Sequence, residues 1–347
     1  MSPRLNPHLA ALHPYVPGEQ INRPEVVKLN TNECPFDPPP GVLEAIREVT
    51  SNAARKYPEP SCRALREAIA ADYSIAPEAV VVGNGSDEIL RLIFHAYAPA
   101  GEPVAVLDPT YSLYPVLGQM FGAPMQVHAT TRRGPLPESF ITSAAGIKFL
   151  PNPNPPIGNQ YTKAEVERLL DHSELVIFDE AYVAFAEWSA AEFLATRSNL
   201  IITRSFSKSH SLAGMRVGFA MGPVELISRL AGIRDSYSVN AVSQAAALAA
   251  WRDREWLAGT AARIRHLRGF LTLQLRQLGF EVTDSAGNFV FAEHPQARTL
   301  LQYLREHDIL VRHFALPGLE NGLRITIGTE LEVERLLKSV RNWLHMH

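Results

Sequence analysis

From residue 79 onward, short uninterrupted apolar runs alternate with longer stretches whose apolar residues recur every three or four positions. AVVVGNG, EPVAVLDPT, GIKFLPNPN, ELVIFDEAY and NLIITRSFSK read as strands buried on both faces. SDEILRLIFHAYA, YSLYPVLGQMFG, KAEVERLLDHS and PVELISRLAGIR carry the helical period between them, and MRVGFAMG adds a further apolar run. This alternation predicts an α/β fold, with a mainly parallel sheet flanked by helices on both faces. REWLAGTAARIRHLRGFLTLQLRQLG then reads as one long amphipathic helix closed by a glycine. Beyond it the texture changes to FEVTDSAGNFVFAE, a helix at ARTLLQYLREHD, the strand-like ILVRHF and LRITIGT, and a final helix. The expected organisation is an extended N-terminal arm rich in Pro and Asn at 1–35, a large domain at 36–255 and a small α+β C-terminal domain at 256–347.

Composition narrows the function classes. The chain has 347 residues, 46% of them hydrophobic and 20% charged, enough apolar content for a substantial core. A formal net charge of −3 without a basic block gives no reason to expect nucleic acid or an anionic membrane as partner. No run approaches the length of a membrane span, and the first residues lack the apolar stretch of a signal peptide, which points to a soluble cytoplasmic protein. Two cysteines, Cys34 and Cys62, are too few for a disulfide framework, and neither they nor the histidines have metal-site spacing.

The candidate chemistry stands at strand ends, where ligands gather in open α/β sheets. GNGSDE at Gly83–Glu88 joins a strand to a helix, and glycines ahead of a helix N-terminus suit a phosphate, although Ser86 and Asp87 also serve as ordinary helix caps. Asp179 follows the apolar run LVIF, with Tyr182 three residues on; a carboxylate there needs a cation beside it or a structural role such as a cap. Lys208 ends NLIITRSFSK among Ser205 and Ser207, and Arg216 stands eight residues further. A lysine with lowered proton affinity can form an imine, and hydroxyls with a guanidinium can hold a phosphate dianion. A phosphate cradle, an acid for a protonated ring nitrogen and an amine for an imine are the three needs of pyridoxal 5'-phosphate.

Across nearly its whole length the sequence resembles the fold-type I pyridoxal-phosphate aminotransferases. SFSK followed by Arg216 carries the class, and HPYVPGEQ, KLNTNECPF, KYPEPSCRALREAIA, GNGSDEIL, DPTYSLYPV and LRITIGT are similar to the histidinol-phosphate branch. The resemblance implies a seven-stranded sheet in the large domain and a homodimer with shared active sites. It implies that Lys208 binds the cofactor as an imine and later moves the proton, and that Asp179 pairs with the ring nitrogen. Tyr182 and Asn154 would reach the ring oxygen and Tyr111 would cover the ring face. Ser86, Asp87, Ser205, Ser207 and Arg216 would hold the phosphate, with Tyr57 reaching the phosphate of the neighbouring subunit. Arg324 would clamp the substrate carboxylate, with Asn32 and Tyr15 near the substrate.

The implied reaction is transamination of histidinol phosphate with 2-oxoglutarate, giving imidazole acetol phosphate and glutamate in histidine biosynthesis. Aromatic amino-acid transamination and threonine-phosphate decarboxylation share the pattern, and a non-catalytic pyridoxal-phosphate binder is a further alternative. The chain departs from the family at NPPIG, Asn154–Gly158, where Asn-Asn-Pro-Thr-Gly is common, and at Gly318, where relatives often carry a basic residue.

Overall fold

Six of the apolar runs and the segment Met125–Ala129 form one seven-stranded sheet in the computed structural model, which describes residues 7–9, 12–15, 17–21, 23–50, 53, 55–132 and 134–346. Its strands are β2 (Val80–Gly83), β3 (Val104–Asp108), β4 (Met125–Ala129), β5 (Ile147–Pro151), β6 (Leu175–Asp179), β7 (Leu200–Ser205) and β8 (Gly218–Met221). The spatial order is β2-β8-β7-β6-β5-β3-β4. Pairings from β7 through β6, β5 and β3 to β4 are parallel, whereas β8 runs antiparallel to both β7 and β2.

The two-residue period of a strand divides these residues between two cores. Leu175, Ile177 and Ile201 face a layer that includes Tyr114 and Phe149. Val176, Phe178, Leu200 and Ile202 face the opposite layer, with Phe206, Phe219 and Trp251. Along β5, β6, β7 and β8 both faces are dry, which is why these strands read as continuous apolar runs, whereas the edge strand β4 leaves Gln126, Val127 and Ala129 exposed. Continuing the alternation puts Asp179 and Ser205 toward the first layer, and Glu180 and Arg204 toward the second.

A third core gathers the C-terminal part of the chain. The helices Arg254–Gln277, Ala297–Glu306 and Glu330–Met346 pack with a sheet of order β12-β13-β10-β9, comprising β9 (Glu281–Val282), β10 (Phe289–Glu293), β12 (Arg312–His313) and β13 (Gly322–Thr326). The long helix ends just before Gly279, whose φ of +89° suits a glycine in the turn that follows. Near the N-terminus, β1 (Val27–Lys28) pairs in parallel with β11 (Ile309–Leu310), tying that segment to the third core. Tyr182 and Phe185, just past β6, also belong to this core, so the end of a large-sheet strand and the C-terminal unit are packed together.

Candidate active site

A pocket of about 390 Å³ opens where β5, β6 and β7 end, and its far wall comes from β12, β13 and residues Tyr15, Pro17, Gly18, Gln20 and 30–33. Every residue singled out from the sequence lines it except Tyr57 and Asn154.

Asp179, the last residue of β6, is 5% exposed. Its Oδ2 accepts a 2.8 Å hydrogen bond from the Tyr114 hydroxyl and its Oδ1 a 3.2 Å bond from Ala181 N–H. Both donors are neutral, so the carboxyl keeps its burial penalty and its pKa is pushed up to about 6. Lys208 sits in the short helical turn Phe206–Ser209 directly after β7, and its Nζ donates to Thr31 O at 2.8 Å. Burial, followed by the charge of Arg324, pulls its pKa down to about 8, against the opposing pull of Glu33 and Asp87. Burial thus moves both groups toward neutrality.

On one side of this pair lies a cradle for an anion. The helix Ser86–Tyr97 presents its N-terminus, and the unpaired N–H groups of a first helical turn favour negative charge. Gly85 holds φ at +83°, and a Cβ there would meet Arg216 Nη2 at 2.7 Å. A Cβ on Gly218 would run into Ser86 N and Gly85. Arg216 Nη2 lies 3.4 Å from Asp87 Oδ2, and its Nη1 is 3.4 Å from Ser207 Oγ. Ser205 Oγ accepts from Ser207 N–H at 3.1 Å and fixes the turn that carries the lysine.

The opposite side is aromatic and cationic. The Tyr111 hydroxyl donates to Asp87 Oδ1 at 3.0 Å, and Tyr15 meets the Tyr111 ring edge-on at 6.2 Å. Asn32, with φ 56°, donates through Nδ2 to Tyr182 Oη at 3.0 Å and accepts from Thr326 Oγ1 at 3.0 Å. Arg324 donates from Nη2 to Asn30 O at 2.9 Å, while its Nε has no hydrogen-bond partner among the described residues.

Asn154 is placed differently from the sequence reading, and Tyr57 stands apart from its own chain's pocket, as a residue expected to serve a neighbouring subunit would. Asn154 is fully buried behind the pocket; its Nδ2 donates to Pro109 O at 2.9 Å and its Oδ1 accepts from Thr110 Oγ1 at 3.1 Å. Its amide braces the loop, and Pro155 and Pro156 face the pocket instead. Tyr57 is 80% exposed and stacks on Tyr237 with 4.3 Å between ring centroids, away from its own chain's pocket.

Two functional positions escaped the sequence. Tyr114 orients Asp179 from an unremarkable helix, whereas Arg312 lines the pocket directly across the strand pair from Arg324. Both guanidinium groups flank the Phe314 ring, at 5.7 and 5.4 Å from its centroid. An apolar run with an arginine in it, ILVRHF, was the available signal for Arg312.

A buried amine, a buried carboxyl and an anion cradle in one pocket on this sheet define an aminotransferase-type site, and residues 24–340 match the family model for aminotransferase class I and II, so the chain belongs to that family. Among its relatives, the chain is 42% identical over 348 residues to the histidinol-phosphate aminotransferase of Gluconacetobacter diazotrophicus, covering 96% of this chain and 95% of that one. The structure is similar to histidinol-phosphate aminotransferase from Sinorhizobium meliloti in complex with pyridoxal-5'-phosphate, with a TM-score of 0.90, 25% identity and coverage of 100% and 99%. L-threonine-O-3-phosphate decarboxylase from Porphyromonas gingivalis shares the fold at a TM-score of 0.83 and 24% identity, covering 92% of this chain and 100% of that one.

Proposed function

We propose that this aminotransferase uses pyridoxal 5'-phosphate to move the amino group of histidinol phosphate to 2-oxoglutarate. The observation that carries the reading is the meeting, in one pocket, of Lys208, Asp179 and the Ser86–Ser207–Arg216 cradle. The residues fit the cofactor: a buried carboxylate held only by neutral donors is stabilised by a cationic ring nitrogen, and the cradle is shaped for an anion. When bound, the cofactor supplies an aldehyde that holds the amino group covalently and a ring that accepts the electrons released at Cα.

The protein's own part is to bind, orient and move a proton. Ser86, Asp87, Ser205, Ser207 and Arg216 would hold the phosphate, and Asp179 would pair with the ring nitrogen. Tyr182, whose Oη accepts from Asn32, would have its own proton free to donate to the ring oxygen. Tyr111 would cover the ring face. Lys208 Nζ, whose pKa of about 8 leaves part of it neutral near pH 7, takes the proton from the substrate Cα. Tyr15 stands toward the imidazole end of the substrate.

Histidinol phosphate has no carboxylate; its anionic end is a phosphate. Arg312 and Arg324, opposed across β12 and β13, give that dianion two guanidinium partners and can receive a carboxylate of 2-oxoglutarate in the other half-reaction. This pairing supports a phosphorylated donor despite Gly318, which sits in an exposed loop.

The test is a half-reaction on the cofactor-loaded protein with histidinol phosphate, phenylalanine or threonine phosphate, following the visible absorption band and the released product. Fast loss of the band with histidinol phosphate and slow loss with the others is expected. Equal or faster conversion by phenylalanine makes the enzyme an aromatic aminotransferase. Carbon dioxide release from threonine phosphate makes it a decarboxylase.

A further inference from the structure

Three consecutive residues in the segment after β1 each hold one group of the pocket. Asn30 O accepts from Arg324 Nη2 at 2.9 Å, Thr31 O accepts from Lys208 Nζ at 2.8 Å, and Asn32 Nδ2 donates to Tyr182 Oη at 3.0 Å. Other elements fix the first and the third. Asn30 Nδ2 donates to Glu19 O at 2.8 Å. Asn32 N–H donates to Thr326 Oγ1 at 3.0 Å, and its carbonyl accepts from Asn288 Nδ2 at 2.9 Å. Thr31 is braced from within the segment. Its hydroxyl donates to Glu33 Oε2 at 2.8 Å, and Glu33 in turn takes Lys28 Nζ on both carboxylate oxygens, at 2.6 and 2.7 Å.

The Lys28–Glu33 pair is partly open to solvent, with side chains 25% and 38% exposed, and such pairs contribute little to stability. Its consequence is geometric, because it closes the chain from Lys28 to Glu33 around Thr31. Glu33 also lines the pocket. Against the burial that would raise it, hydrogen bonds from Lys28 and Thr31 hold the Glu33 carboxyl below the usual carboxylate range, so it is charged near neutral pH. Lys208 feels that charge. Burial acts first on the amine; Arg324 and Arg216 oppose its protonation, while Glu33 and Asp87 favour it. A lysine has four rotatable side-chain bonds, and its amine must meet an electrophilic carbon in one geometry. The acceptor that holds this amine is only as well placed as Thr31.

We propose that Glu33, anchored by Lys28, is a positioning residue for Lys208: through the Thr31 hydroxyl it holds the Thr31 carbonyl against the amine, and it sets a negative charge behind it. The role rests on Lys208 being the amine that captures the cofactor.

Stopped-flow capture of pyridoxal 5'-phosphate by the apoprotein, followed across pH, reads the amine without turnover. On the high-pH plateau Thr31→Val should slow capture about fivefold, the worth of roughly one hydrogen bond, and Thr31→Ser should restore it to within about twofold of the wild type. Glu33→Ala should slow capture as much. The double variant should be no slower than Glu33→Ala alone, because both substitutions break the same tie. Glu33→Ala should also lower the pH inflection by roughly half a unit, since a negative neighbour is lost, a change that misplacement of the chain alone does not require. Wild-type capture by Thr31→Val, slowing that multiplies in the double variant, or an unmoved inflection in Glu33→Ala would each overturn the proposal. Lys208→Ala should capture nothing. The same visible band in that variant would bring down the functional reading and this proposal with it, whereas the other adverse outcomes leave that reading standing.

Discussion

Burial acts in opposite senses on the two central ionisable residues, and each shift has a measurable consequence. Lys208 falls from an ordinary lysine value to about 8, chiefly through burial and secondly through Arg324. The neutral amine is the nucleophile, so the rate of cofactor capture by the apoprotein should rise with pH through about 8 and level above it. Stopped-flow growth of the visible band checks this; a rise continuing toward pH 10 would contradict it. Replacing Arg324 with Met should move the inflection upward, because a positive neighbour is removed. Asp179 rises from 3.8 to about 6. The folded carboxyl therefore binds its proton more tightly than the unfolded one, and stability falls as pH climbs from 3.8 through 6, with the full penalty present above that. Asp179→Asn should accordingly stabilise the apoprotein at pH 7 by up to roughly 3 kcal/mol while weakening cofactor retention. Urea unfolding of the apoprotein, set beside cofactor dissociation, reads both effects. A variant less stable than the wild type at pH 7 would show that the carboxylate is not strained there.

At the scale of elements, strand alternation makes β6 and β7 two-sided devices. Asp179 and Ser205 face the pocket, and the adjoining Glu180 and Arg204 pair on the reverse side, locking the two strand ends together. Arg204→Met strands a carboxylate that is fully buried and should cost about 3–5 kcal/mol, whereas adding Glu180→Gln should recover part of it. Denaturant unfolding of both single variants and the double variant measures the coupling. Much of this level was legible in the sequence, because buried strands ending in Asp179 and in SFSK announce themselves as apolar runs that stop at polar chemistry. What stayed hidden depends on where loops and strands meet in space. β8 has the same apolar texture as its neighbours, and nothing in MRVGFAMG says that it runs antiparallel. Asn154 and Pro155 are adjacent, and only the path of the backbone decides that the proline meets the pocket while the amide turns to Pro109 and Thr110. Arg312 lies on a two-residue strand, too short for a period to show, and its pairing with Arg324 is a matter of register.

For the whole molecule, the pocket draws on separate cores: Tyr182 is packed into the C-terminal one, and the turn carrying Lys208 into the sheet layer around Phe206 and Trp251. Tyr57 and Tyr237 form a stacked aromatic pair with Tyr57 80% exposed, an arrangement suited to burial against a second copy. In a two-fold dimer, a residue reaching across serves the partner's site and never its own. Lys208→Ala and Tyr57→Phe chains, unfolded together and refolded as a mixture, separate the two geometries. If Tyr57 acts across the interface, each hybrid has one site lacking both residues and one site with both intact. Random pairing makes half the dimers hybrids, so the mixture should recover about one quarter of wild-type activity above the sum of the parent homodimers. If Tyr57 serves its own chain, both sites of every hybrid are damaged and no activity beyond the parents appears.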